Sequence, residues 1–108
     1  MQNTSKAETF VGFSIRSGKI IFGMEQIERS KKIPKLILLC STLGENSRKK
    51  AYNYAEKKNV KVLELSQRRL EDIVFKSNCK IVGLTDVNLA QAVIDNSEGW
   101  AFSPKVGV

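Results

Sequence analysis

The chain has 108 residues, 42% of them hydrophobic and 27% charged, and 18 lysines and arginines outnumber 11 acids for a formal net charge of +7. That length implies one domain able to bury its own core. With two cysteines, no histidine and no apolar run near the ~18 residues of a membrane span, the composition argues against a disulfide framework, imidazole chemistry, most zinc sites and a membrane helix.

Ser5-Lys6-Ala7-Glu8 has the form of a capping box, and Ala7, Phe10, Val11, Ser14 and Ile15 recur behind it at helical spacing. Gly18 stops this helix. Residues 19–22 make a short strand. Gly23 opens a second helix running to about Lys32, which must end before Pro34 because the residue preceding a proline avoids helical geometry. Residues 36–40, Leu-Ile-Leu-Leu-Cys, do not alternate and so predict a strand covered on both faces. Cys40 reads there as a small buried hydrophobe, and Cys79 falls at a strand edge.

Gly44-Glu45-Asn46-Ser47 is a turn and cap. The helix after it places Ala51, Tyr54 and Ala55 on one face, puts Arg48, Lys49, Lys50, Lys57 and Lys58 elsewhere, and stops at Asn59. Residues 60–65 form a third strand. Ser66 caps a helix with Leu70, Ile73 and Val74 in register, and residues 80–85 form a fourth strand. Asp86 caps a last helix carrying Val87, Ala90, Val93 and Ile94. Residues 1–96 thus make a single domain, and 97–108, with Trp100, Phe102 and Pro104, an irregular tail. A helix followed by strand–helix four times over predicts an α/β fold, a three-layer α/β/α sandwich.

The sequence offers little to catalysis. It has no nucleophile elbow, Walker loop or GxGxxG, and Glu71 and Asp72 are adjacent on a helix and diverge. No enzyme activity, cofactor, metal or small-molecule substrate is expected. The positive surplus concerns partners rather than fold, and all of it except Lys105 precedes Asp86. Nucleic acid is the commonest partner for such a domain. Without a targeting segment, a cytoplasmic, monomeric protein with reduced thiols is expected.

The mouth of the second helix admits two readings. A glycine at a helix start lets a phosphate approach, and free N–H groups there attract anions. Gln26 and Arg29 share a face and both donate hydrogen bonds. Equally, Gln26 could cap the helix, and Glu25 and Arg29 form an i,i+4 pair on a solvated surface. Arg48-Lys49-Lys50 likewise reads as a phosphate patch or as a solvated helix face.

Taken in order, Arg-Ser-Gly-Lys before the first strand, Gly-x-x-Gln after it, the Leu-Ile-Leu-Leu strand, Glu-Asn-Ser-Arg-Lys-Lys and Asn-Val-Lys-Val resemble the ribosomal L-seven-Ae/L-thirty-e superfamily of RNA-binding proteins. The likeness runs from about Phe10 to Ile94 and is to the small bacterial YlxQ-like members in particular. It implies a mixed four-stranded sheet between helices. It also implies recognition of kink-turn or other structured RNA, ribosomal RNA included, by the N-terminus of the second helix and the loop before the last strand. The family's Gly-Ala-Asn-Glu corresponds to Gly23, Met24, Glu25 and Gln26, and Arg29 stands where the family has a lysine. Gly18 and Lys19 match its Gly-Lys pair. Lys76, Ser77, Asn78 and Lys80 lie in the second contact loop. The rival reading is a protein-interaction module of the same fold that has lost the RNA site, or an accessory to an RNA-modifying enzyme.

Overall fold

The computed structural model describes residues 6–66 and 68–102; the Ser5 cap and Pro104 lie outside them. In chain order the elements are α1 (Lys6–Arg16), β1 (Ile20–Phe22), α2 (Met24–Arg29), β2 (Leu36–Leu39), α3 (Glu45–Lys58), β3 (Lys61–Leu65), α4 (Leu70–Val74), β4 (Ile81–Leu84), α5 (Val87–Asp95) and β5 (Ala101–Phe102). The strands form one mixed sheet in the order β1-β4-β2-β3-β5. Only β2 and β3 run parallel; β4 is antiparallel to both β1 and β2, and β5 to β3.

Strand side chains alternate between faces, and each face has its own core. Leu36, Leu38, Leu63, Leu65, Val82 and Leu84 meet Ala7 and Val11 of α1, Leu70 and Ile73 of α4, and Ala90 and Val93 of α5. Ile37, Leu39, Val62 and Ile81 meet Ile27 of α2 and Ala51 and Ala55 of α3. The architecture is therefore α/β/α, and the unbroken apolar run of β2 is buried on both faces. Full burial of each such Leu or Ile is worth about 1.5–3 kcal/mol relative to exposure.

Several predicted signals act locally as expected. Asn59 ends α3 in the left-handed conformation, and the Asp86 carboxylate accepts from the N–H groups of Asn88 and Leu89 at the start of α5.

Three features differ from the sequence reading. First, α2 stops at Arg29, short of Lys32, because Ser30 turns extended at φ −71°, ψ 140°. Pro34 then lies over Gly83, where an added Cβ would stand 2.9 Å from the proline Cβ. Second, Ser66 does not cap α4, whose N-cap is Arg69 with no side-chain cap bond; the Ser66 hydroxyl and N–H instead both donate to the Trp100 carbonyl, at 3.2 Å each. Third, the sheet has five strands, not four. Gly99 at φ 77° turns the chain back, Trp100 enters the core at 5% exposure, and Ala101 and Phe102 pair with Leu65 and Glu64. Burying the large indole favours this return. Cys79 precedes β4 and is buried.

Candidate functional site

The sheet topology creates one junction of chain-distant segments. Because β4 is antiparallel to β1 and β2, the ends of those two strands meet its beginning. The Gly23 N–H donates to the Ile81 carbonyl (2.8 Å), and the Cys40 N–H donates to the Lys80 carbonyl (2.9 Å). A cleft of about 250 Å³ opens there. Gly23 and Met24 line it from the start of α2, Asn78, Lys80 and Ile81 from the approach to β4, and Leu43 and Ser47 from around the start of α3.

Gly23 is the N-cap of α2 at φ 89°, ψ 148°, and no side chain caps the helix. Gln26 therefore does not close a capping box; it is exposed, and the N–H groups of the first turn lack an intrahelical partner. Glu25 and Arg29 form the expected i,i+4 ion pair at 2.9 Å, with side chains about 70% exposed. An exposed pair of this kind is worth a few tenths of a kcal/mol.

The 75–80 loop is built on two left-handed residues, Phe75 (φ 57°) and Asn78 (φ 61°). The Glu71 carboxylate accepts from the Asn78 N–H (2.7 Å) and lies 3.6 Å from Lys80 Nζ, which also donates to Thr42 Oγ1 (2.9 Å). Lys80 is thereby held at the cleft. Lys76 Nζ sits 5.2 Å from the centroid of the Phe22 ring, a cation–π contact, and Ser77 is exposed. Phe75 is 89% exposed.

Gly23, Met24, Asn78 and Lys80 thus share one cleft, with Glu25, Gln26 and Arg29 on the adjoining helix. Gly18 and Lys19 do not join them. Lys19 donates its N–H to Ser14 (2.8 Å) and accepts from Thr85 (3.0 Å), at the far end of β1 and β4. Four extended residues at ~3.3 Å each put Lys19 about 13 Å from Gly23. Leu43, Ser47 and the anchors Thr42 and Glu71 are not among the site residues the sequence suggests; the Gly44–Ser47 turn signal marks the neighbourhood of the first three, and no local signal marks Glu71.

A partly buried ionic cluster ties α3 to β3. Glu64, between Leu63 and Leu65 of β3, accepts from Arg48 and from the Tyr52 hydroxyl, and Arg48 Nη2 donates to the Leu43 carbonyl at 3.1 Å. Burial, then the bond to Glu64 and its charge, push the Tyr52 phenol well above its ordinary value. The bond to Glu64 likewise raises Arg48. Burial pushes the Cys40 thiol up, but hydrogen bonds from Thr42 and the Leu70 N–H and the charge of Lys80 outweigh it, leaving Cys40 below the usual thiol value.

No family model matches the chain, and no curated protein matches it significantly in sequence. Its fold is shared. A solved structure of a protein of unknown function from Bacillus halodurans superposes with a TM-score of 0.77 at 18% identity, over 88% of this chain and 99% of that one.

A larger cavity, about 660 Å³, lies between α1 and α4 and is lined by Glu8, Arg16, Arg68, Asp72 and Phe75 among others. Its charges are matched in part within the fold: Arg68 donates to Glu8 at 2.6 Å, and Arg16 stacks over Phe13 at 4.8 Å. Among the described residues no group of three acids or cysteines could hold a metal ion, and no helix is long and apolar enough to cross a membrane.

Proposed function

We propose that this protein is a non-enzymatic, cytoplasmic RNA-binding protein, a bacterial ribonucleoprotein component of the YlxQ-like, ribosomal-protein-like kind. It docks structured RNA on the start of α2 and on the loop before β4. The observation that carries the reading is the shared cleft: Gly23 and Met24 come together with Asn78 and Lys80 although about half the chain separates them. Uncapped N–H groups, a glycine that leaves room for a phosphate and a fixed lysine suit an anionic ligand. Gln26 and Arg29 supply further donors on the adjoining surface. The net charge of +7 adds sequence-independent attraction.

One observation favours the rival reading, a protein-interaction module. Arg29 is already matched by Glu25 and Lys80 by Glu71, so two cations of the site are compensated, and Glu25 repels phosphates. A gel-shift panel of kink-turn, bulged and plain duplex RNAs separates the two. The RNA reading expects binding at low salt that discriminates among the three, weakened about tenfold in a Gln26→Ala, Arg29→Ala double variant. Absence of binding to every RNA at low salt would sink it.

A further inference from the structure

We infer that α3 carries a second RNA-contact face, a stripe of Asn46, Lys49, Lys50, Asn53 and Lys57 that tracks the phosphate backbone of an RNA seated in the cleft. This rests on the RNA reading above and extends it to a surface outside the cleft.

The structure divides the basic run at residues 48–50. Arg48 turns inward to Glu64, while Lys49 and Lys50 face solvent. At 100° per residue, Asn46, Lys49, Lys50, Asn53 and Lys57 fall within one narrow face of α3, and all five are exposed. Among the described residues none of these lysines makes an ion pair or hydrogen bond, whereas every described arginine is engaged: Arg16 over Phe13, and Arg29, Arg48, Arg68 and Arg69 with carboxylates. With Lys58, four lysines without a side-chain partner among the described residues stand on this one helix, while the others, Lys6, Lys19, Lys31, Lys32, Lys35 and Lys61, are spread over several segments.

The placement fits a strand that continues from the cleft. Ser47, in the first turn of α3, lines the cleft. From there the 14-residue helix extends about 20 Å. Lys50, Asn53, Tyr54, Lys57 and Lys58 also line a groove of about 360 Å³ against α2, with Glu28 on its other side. The acids nearby are Glu28 across the groove and Glu45 and Glu56 on the flank of Lys49; none lies within the stripe.

Polyanion chemistry suits this face better than a protein partner. Protein interfaces are anchored by a buried apolar or aromatic core, and none of the exposed large hydrophobic residues is on α3. Lysines and primary amides are donors that grip phosphates and sugars without reading sequence.

The test is a Lys50→Gln, Lys57→Gln variant, measured by fluorescence anisotropy on the best RNA of the panel across a salt series. Each phosphate contact contributes ~0.7–0.9 to the slope of log K against log salt. The slope should become shallower by about 1.5, with affinity lost evenly across the RNAs. A Lys6→Gln, Lys35→Gln variant, with the same charge change on other surfaces, should keep the wild-type slope. If the α3 variant keeps the wild-type slope while the Gln26→Ala, Arg29→Ala variant loses affinity, the stripe is wrong and the cleft stands. Equal slope changes in both lysine variants would also overturn it, since net charge alone would then be acting. If wild type binds no RNA but its α3 face binds polyglutamate, the partner is an acidic protein and both readings fall.

Discussion

Arg48, Lys49 and Lys50 are one basic run in the sequence and two different environments in the fold. Arg48 lies on the side of α3 that carries Ala51 and Ala55, and the acid that draws it in, Glu64, interrupts a strand that is otherwise apolar after Lys61. The break in β3 was legible, but the sequence reading set Arg48 apart from the Ala51 and Ala55 face, whereas at about 100° per residue it lies beside them; that it meets Glu64 depends on how α3 seats on β3. Arg48→Ala leaves Glu64 with one partner in a nearly buried site, and should cost about 2–3 kcal/mol in urea unfolding. Tyr52 gives a pH signature. Its folded value lies above the unfolded value near 10.0, so the native state holds the phenolic proton that the unfolded chain has released. The resulting stability is present below pH 10 and falls as pH rises beyond it. Tyr52→Phe should be less stable than wild type at pH 9, with the gap narrowing, but not yet closed, at pH 11 in thermal unfolding. Gly23 is a third residue-scale test. An added Cβ meets nothing within 4 Å, so Gly23→Ala isolates the cost of φ 89°, ψ 148°, about 1–3 kcal/mol, and should weaken RNA binding by disturbing the start of α2.

At the scale of elements, the first four strands and the helices were legible mainly through apolar periodicity, helped by local signals such as the Asp86 cap, the Asn59 stop and the apolar run at 36–39, whereas the expected Ser66 cap of α4 is not made. β5 carries no such signal. Two residues are too short for a pattern, and the strand exists because Trp100 enters the core and Ser66 donates to its carbonyl. The end of α2 was misplaced for a similar reason. Pro34 fixed only its latest possible stop, whereas the actual stop is set by seating that proline on the sheet at Gly83. Gly83 is thus a packing glycine, flanked in the sheet by Ile21 and Ile37. Gly83→Ala forces Pro34 away and should cost about 1–3 kcal/mol in thermal or urea unfolding. For the site, motif order pointed to the start of α2 and the 75–80 loop. It did not separate Lys19 from them, since strand direction is a property of the sheet.

At the scale of the whole molecule, the +7 charge and the shared cleft lead to one expectation. If Lys80 and the α3 lysines each neutralise a phosphate, log affinity for RNA should fall with log salt at a slope of about −3, which a titration series checks directly. The fold shared with the Bacillus halodurans protein at 18% identity shows that the scaffold tolerates nearly complete replacement of side chains, so function must be sought in particular residues rather than in the architecture. The strand order has a last consequence, for synthesis. β1 and β2 never touch; β4 lies between them. A nascent chain that has made α1 through β3 can form the parallel β2–β3 pair, but β1 has no neighbour until β4 arrives. Closing the sheet therefore waits on a long-range contact, the slow kind in folding. Until it closes, β1 is unpaired on both edges and β2 on one, and these edges can be captured by another chain.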